Sequence, residues 1–406
     1  MDRTMDRLSN DRKILFYLFL LGFFAIFSTT LSKSPVLPLF AQALGSGDAI
    51  LGLISAVSPF AGIIFSFPVG AMSDKIGRRR LLIVAGIVFV IAPLLYLFIS
   101  DPLMLVPVRF FHGLGTAILG PVAAALLVDR FPGMKGEVLG QYSSATLVGR
   151  TLAPLTGGLI ISYFAVYSGL ISYQVVYFVA FLAAIPAFAI TLLYSEKDHQ
   201  DIVFMPFREF SRSFRTFFGN RFLRATALVE MATYFSFGAF ETFLPVFLFD
   251  SGFSAFEIGI IFAVQVVLMA LTKPLFGRMA DRVDKRLQII AGLFMIGVSV
   301  AVIPYFSHFF VFLLLSVTAG FGLSLSTVAT GAYTGEIAAK WEIGASMGAL
   351  SSTMDIGHSL GPLITGLIIG YTLSYQVGFM AGFILTLLTA VYFMWSVRPG
   401  TGTGHG

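Results

Sequence analysis

Twelve apolar stretches, each long enough to cross a bilayer as a helix, follow one another along this chain. They fall at about 14–41, 48–72, 80–99, 102–128, 137–162, 172–194, 222–249, 255–279, 286–306, 308–335, 342–370 and 373–396. A bilayer core needs about 20 apolar residues per helix, and backbone inside it must satisfy its own hydrogen bonds. The 406 residues are 57% hydrophobic and 12% charged, more apolar than a water-soluble domain of this size can hide. The fold class that follows is an all-α membrane protein with twelve transmembrane helices. There is no cysteine, which excludes disulfides, thiol nucleophiles and thiolate metal sites. The 41 glycines and 17 prolines suit membrane helices, where small residues allow close packing and neighbours repair broken backbone bonds. The start of the chain has the layout of a secretory leader. Its apolar run from Ile14 to Phe40 is too long for one and carries Lys33, Pro35 and Pro38, so it reads as the first span.

Lysine and arginine set the orientation. They gather at the N-terminal tail, the Lys75–Arg80 turn, Arg130 and Lys135, the stretch from Lys197 to Arg221, Arg278 to Arg286, Lys340 and Arg398. The loops on the other side hold neither residue. An even number of spans then puts both termini in the cytoplasm of a multi-pass protein of the cell membrane. The segment from Phe204 to Phe218 mixes aromatics with arginines at helical spacing. It reads either as an amphipathic helix on the inner leaflet or as a disordered linker.

Several landmarks occur twice. The turn Gly70-Ala-Met-Ser-Asp74-Lys75-Ile-Gly77-Arg78-Arg79-Arg80 returns, eroded, as Gly277-Arg-Met-Ala-Asp281-Arg282-Val-Asp284-Lys285-Arg286, 207 residues on. Leu37-Pro38-Leu39-Phe40 matches Leu244-Pro245-Val246-Phe247. Gly140, Gly149, Ala153-Pro154 and Gly157-Gly158 match Gly348, Gly357, Gly361-Pro362 and Thr365-Gly366, 208 residues on. Three matches in order at one offset indicate two six-helix halves, 1–194 and 222–406, joined by 195–221.

Over its whole length the chain resembles the major facilitator superfamily. The Gly70–Arg80 turn is similar to the family's cytoplasmic signature between helices 2 and 3. Arg109-x-x-His112-Gly113-x-Gly115 resembles the second signature, with His112 where glutamine is usual. Gly140 to Gly158 resembles the third, associated with proton-driven antiport, with Ala153 replacing a glycine. The resemblance implies a fold of two pseudo-symmetric six-helix bundles and a cavity lined by spans 1, 4, 7 and 10. It also implies a cytoplasmic latch in which Asp74 meets the start of span 11. Gly70 and Gly77 permit the close approach and sharp turn at that latch, and Arg78 or Arg79 could reach Asp129. Alternatively these arginines serve topology alone, facing anionic lipid. Gly140, Gly149, Ala153 and Gly157, with Pro154 and Gly158, form either a packing stripe with a flexible proline or a coupling element.

Charges deep in a span cost roughly 2.5–3.5 kcal/mol each on insertion scales, so they usually line cavities. The first half holds the cations Lys33, Arg109 and Arg150; the second holds the anions Glu230, Glu241 and Asp355, with His358 one turn beyond. Lys273 can snorkel to the nearer interface. Asp355, Glu230, Glu241 and His358 are the candidates for proton coupling. Arg150, Arg109, Lys33, Tyr234 and Phe237 are the candidates for the substrate cavity. Opposite charges in the two halves could pair in one conformation and separate in another, with protonation shifting the balance.

The reading that follows is a secondary transporter, not an enzyme, that exports an amphipathic organic solute or drug in exchange for protons by alternating access. Its partners are a small-molecule substrate, protons and the lipid bilayer. Nucleic acid is excluded, no cofactor or metal is expected, and the chain is expected to act as a monomer. No nucleotide-binding glycine loop appears. A second reading uses Arg109, Arg150 and Lys33 to exchange or import an anionic metabolite. Lipid translocation and a membrane scaffold without transport are more distant alternatives.

Overall fold

The apolar stretches become long helices whose ends follow from local chemistry. The computed structural model describes residues 2–131, 133–167, 169–193, 215, 217–338 and 343–397, without the side chains of 2–12, 67, 70–76, 135 and 343–345. The first helices are α1 (Asp2–Leu31), α2 (Val36–Ala43), α3 (Asp48–Ile76), α4 (Arg78–Tyr96), α5 (Leu105–Arg130), α6 (Lys135–Tyr163) and α7 (Ile171–Leu193). Then come α8 (Arg221–Asp250), α9 (Ala255–Arg282), α10 (Lys285–Val302), α11 (Phe309–Ile337), α12 (Ile343–Thr372) and α13 (Tyr375–Ser396). The first span, read as continuous over 14–41, is in fact broken between α1 and α2. Pro35 has no N–H to continue the ladder and its ring blocks the preceding turn. Lys33 sits in this break. Gly77 turns the chain between α3 and α4 at φ +91°, a value side chains resist. Ser254 and Glu257 form a capping box at the start of α9: the Ser254 N–H donates to the Glu257 carboxylate, and the Glu257 N–H to Ser254 Oγ.

Eleven spans among the described residues are long and apolar enough to cross a membrane, with α1 and α2 sharing one. Helix α12 supplies the twelfth. Its 30 residues make about 45 Å of helix. Its polarity comes from Ser351, Ser352, Asp355, His358 and Ser359.

Packing divides the chain into two compact units: Met1–Phe204 with Glu241–Val267, and Met205–Phe240 with Leu268–Gly406. The boundary therefore cuts α8 and α9. Their Glu241–Val267 portion belongs to the first unit because it bonds to α1–α2 and α6. Glu241 meets Lys33, Asp250 meets Gln42, and the Phe256 N–H donates to Ser162 Oγ.

Within the first unit, α4 packs on α5 and α7, α3 on α5, and α1 on α6 and α7. Leu82, Phe89, Leu119, Val122 and Leu126 fill the core. Within the second, α10 packs on α11 and α13, and Ile289, Leu293, Ala329 and Phe393 fill the core. The same helix triple thus recurs one repeat later. So does one ion pair. Arg78 at the start of α4 meets Asp129 near the end of α5, and Lys285 at the start of α10 meets Glu336 near the end of α11. Both partners of the second pair are the first pair's positions displaced by 207 residues. At the α10–α11 crossing, a Cβ on Gly322 would fall 2.6 Å from the Ile296 nitrogen, so glycine is what lets the backbones touch.

Candidate transport site

One stripe of α8 carries four of the candidates, three within the second unit and Glu241 at the start of the part that belongs to the first. Glu230, Tyr234, Phe237 and Glu241 recur at intervals of four, three and four residues, which stacks them along one side of the helix. Between Val229 and Val246 only Met231, Tyr234, Phe237 and Glu241 are partly open; every other position is buried. An otherwise enclosed membrane helix therefore opens along a single face, and that face carries aromatic rings and a carboxylate.

Helix α12 lies against α8 because two glycines allow it. A Cβ on Gly357 would collide with the Met231 carbonyl, and one on Gly361 with the Phe235 carbonyl. The approach brings His358 beside Tyr234 (ring centroids 5.9 Å) and Phe237 (6.2 Å). Gly238 gives His358 its space, since a Cβ there would stand 3.0 Å from the imidazole. Asp355 is half-buried one turn before His358 on α12. The second unit thus gathers a histidine and two aromatic rings, with a carboxylate one helical turn away.

Glu230 is 6% exposed. Its Oε2 accepts a 2.8 Å hydrogen bond from Thr330 Oγ1 of α11, and Lys273 of α9 acts on it electrostatically. It belongs to a ladder between the antiparallel helices α8 and α11. Thr334 Oγ1 donates to Thr226 Oγ1 at 3.2 Å, Thr330 bonds Glu230, and Thr233 and Ser326 share a 3.0 Å hydroxyl contact. All six residues are buried. Sequence reasoning found Glu230, set Lys273 aside as a snorkelling residue, and missed Thr330. The signal was available: Ser326, Thr330 and Thr334 repeat every four residues in an apolar helix.

In the first unit, Lys33 Nζ and Glu241 Oε2 form a 2.7 Å ion pair, and Gln42 Nε2 donates to Asp250 Oδ1 at 2.6 Å. Both contacts join residues 208 apart, the repeat interval to within one residue. In each contact a residue of the first span meets the one just after its counterpart in the 207-residue match of Leu37–Phe40 with Leu244–Phe247, so this part of α8 runs beside the segment it duplicates. The Gln42–Asp250 contact had no forewarning, because both residues read as ends of spans.

The other two cations lie apart from this pair. Arg109 is 2% exposed, beside Tyr96. Tyr96 stacks on Tyr177 at 4.4 Å and tilts against His112 at 6.0 Å. Arg109 is thus a core residue of the first unit and lines no open space. Arg150 is exposed midway along α6. The helix that carries it is seated by small residues. A Cβ on Gly149 would stand 2.8 Å from the Phe23 carbonyl, one on Gly157 would stand 2.7 Å from Val36, and one on Gly158 would collide with the Ala255 carbonyl. Ala153 is fully buried, and the Pro154 carbonyl receives Gly259 of α9. Gly140, expected in the same packing stripe, has nothing within 4 Å of its would-be Cβ and is no part of the contact.

At the basic turn, Arg78 takes Asp129, whereas Arg79 donates to the Leu192 carbonyl at 3.1 Å. The surroundings of Gly70 and Asp74, and so the expected latch to the start of α12, fall outside the described residues. The same holds for most of the 195–221 connection.

Comparison with known proteins accounts for this architecture. The sequence profile described as Major Facilitator Superfamily matches residues 18–264 and 226–405. The chain is 25% identical over 305 residues to an uncharacterized MFS-type transporter of Methanocaldococcus jannaschii, covering 73% of this chain and 76% of that protein. It is 32% identical over 159 residues to the multi-drug resistance efflux pump PmrA of Streptococcus pneumoniae, covering 38% of this chain and 40% of the pump. Its fold superimposes on the nucleoside transporter NupG with a TM-score of 0.80 at 14% identity, covering 95% of this chain and all of NupG. A bacterial homolog of the human lysosomal transporter Spinster, solved inward-facing and unoccupied, gives 0.73 at 18% identity, with 95% of each chain covered. Duplicated helix triples, repeated ion pairs and a matching profile over both halves lead to one conclusion: the chain belongs to the major facilitator superfamily and is a multi-pass membrane transporter rather than an enzyme.

Proposed function

We propose that this transporter exports an amphipathic organic solute, with a basic or cationic group, in exchange for protons. The observation that carries this reading is the partly open face of α8 that bears Tyr234 and Phe237, with His358 against both rings and the Asp355 carboxylate one turn from it on α12. Aromatic faces attract organic cations as well as apolar groups, and a carboxylate in the membrane supplies the charge a proton can neutralise. Asp355, Glu230, Glu241 and His358 are the proposed proton-coupling groups. Both termini lie in the cytoplasm in this reading, the protein is a monomer of the cell membrane, and the two repeat halves alternate access to the site. The relative named as a multi-drug resistance efflux pump supports the direction of transport.

Anion exchange is less well supported. It needs free cations in the membrane, yet Lys33 is engaged by Glu241 and Arg109 is enclosed in a core. Arg150 alone remains exposed.

Proteoliposomes with an imposed pH gradient test the reading. Ethidium accumulation driven by an acid interior supports it. Phosphate or carboxylate counterflow without a pH gradient, combined with no gradient-driven movement of lipophilic cations, overturns it.

A further inference from the structure

We propose that Thr330 is the positioning residue that lets Glu230 gain and lose a proton without leaving a buried polar group unpaired. This rests on the reading of Glu230 as a proton-coupling carboxylate. A carboxylate buried in a membrane bundle needs donors when ionised and an acceptor for its O–H when neutral. Few neighbours can be both. A hydroxyl can, because it carries one proton and two lone pairs.

The geometry around Thr330 Oγ1 meets both needs. The oxygen lies 2.8 Å from Glu230 Oε2, 2.9 Å from the Ser326 carbonyl and 3.0 Å from the Thr327 carbonyl. One proton faces three acceptors. With Glu230 ionised, the hydroxyl proton points at Oε2. With Glu230 protonated, the carboxyl O–H donates to a lone pair of Thr330 Oγ1, and the hydroxyl proton turns to a carbonyl of its own helix. Neither state leaves Oε2 or the Thr330 hydroxyl without a partner, and the change at Thr330 is a rotation about one bond. Thr226 and Thr233 differ. Each donates to the carbonyl of its own preceding turn, Leu223 or Val229, at 2.8 Å and meets only another hydroxyl across the ladder. They hold α8 to α11 and have no proton to exchange with a carboxylate.

Charged and titratable groups surround Glu230 on neighbouring helices. Lys273 on α9 acts on it directly. Asp355 and His358 are the titratable groups nearest along α12, which touches α8 at Met231. Tyr234 follows one turn along α8 itself. Thr330 is the neighbour that changes its hydrogen-bond role with the carboxyl's charge.

Infrared difference spectra of the purified full-length protein, titrated with pH, read the carboxyl C=O band without any substrate. In wild type a band should appear as pH falls and be absent from Glu230→Gln. In Thr330→Val the ionised form loses a charge-assisted hydrogen bond and the protonated form a weaker neutral one, so the midpoint should move up by about one pH unit, a tenfold change in proton affinity. Thr330→Ser should keep the wild-type midpoint. Thr226→Val, which removes a ladder rung without touching the carboxyl, should keep it too. Thr330→Ala serves in place of the valine variant should that one not fold. If Glu230→Gln leaves every band in place, Glu230 exchanges no proton, and both the reading and the inference fall. If Glu230→Gln removes the band but Thr330→Val and Thr330→Ala titrate with the wild-type midpoint, the inference alone falls. It also falls if Thr226→Val produces the same displacement.

Discussion

The Lys33–Glu241 pair should hold the α2 end of the first span against α8, and its strength can be bounded. At 2.7 Å two unit charges attract by about 1.5 kcal/mol in water and about 6 kcal/mol at an effective dielectric constant of 20. The side chains are 30% and 16% exposed, so solvent screens part of that gain and desolvation offsets more. Exposed pairs contribute about 0.2–1 kcal/mol, and removing one partner of a buried pair costs about 3–5 kcal/mol. An intermediate burial points to about 2 kcal/mol for Glu241→Gln, which would raise the population with these helix ends apart about thirtyfold. The absence of native cysteine gives a clean assay. Thr242, next to Glu241 and 5% exposed, can be replaced by cysteine, a residue of similar size. Its labelling rate by a water-soluble maleimide then follows the open population. Glu241→Gln should speed labelling about thirtyfold at 2 kcal/mol. Lys33→Met added to it should return part of that gain, because the unpaired lysine is gone. The exchange Lys33→Glu with Glu241→Lys should restore slow labelling. A coupling energy within about 0.3 kcal/mol of zero across this cycle would refute the reasoning, since contacting residues that matter to each other do not add.

Three further outcomes are expected. Asp355→Asn should abolish pH-driven ethidium uptake while ethidium still raises the thermal midpoint; unchanged coupling would remove Asp355 from the mechanism. Gly357→Ala puts a methyl into the Met231 carbonyl and should destabilise the protein by about 1–3 kcal/mol in thermal unfolding. Gly348→Ala, with open space around it, should be neutral, and equal losses at the two sites would show that α12 is not seated by Gly357. Arg78→Ala should cost less than about 1 kcal/mol, because Asp129 is 56% exposed, yet slow transport severalfold; a wild-type rate would leave the arginine a topological role only.

The helices were legible because a bilayer imposes one length and one solution to backbone hydrogen bonding. The repeat was legible because glycines, prolines and basic turns survive where backbone geometry needs them. Arg78 and Asp129 could be matched from their positions at helix ends. The break at Pro35 was not read, although proline announced it, because the run stays apolar on both sides. The roles of the buried cations were less legible still. Depth in a span says that a charge is costly, but not how it is satisfied. Lys33 is satisfied by an ion pair, and Arg109 lies among tyrosines in a closed core. The four-residue repeat of Ser326, Thr330 and Thr334 marked a polar stripe but not the task of Thr330: a hydroxyl in a membrane helix can always bond its own preceding turn, so only the facing helix reveals a second partner.

The lopsided charge of the two halves has a geometric cause at one place. Where a duplicated segment packs against its own repeat, a residue faces the neighbourhood of its copy, here the position one beyond it. Two lysines at the 33 and 241 positions, about 4 Å apart, would repel by about 4 kcal/mol at an effective dielectric constant of 20, and two glutamates by as much. A duplicated charge there is tolerable only if one copy changes sign or becomes neutral. Lys33 with Glu241 shows the first solution and Gln42 with Asp250 the second. The Arg78–Asp129 and Lys285–Glu336 pairs close within their own repeats, meet no copy of themselves, and keep the same sign order in both. Glu241→Lys alone should therefore be far more disruptive than Glu336→Lys. Each places a lysine against a cation, but the 241 pair is mostly buried whereas Glu336 is 58% exposed and can turn to solvent. Equal losses of folded protein from the two reversals would contradict the argument.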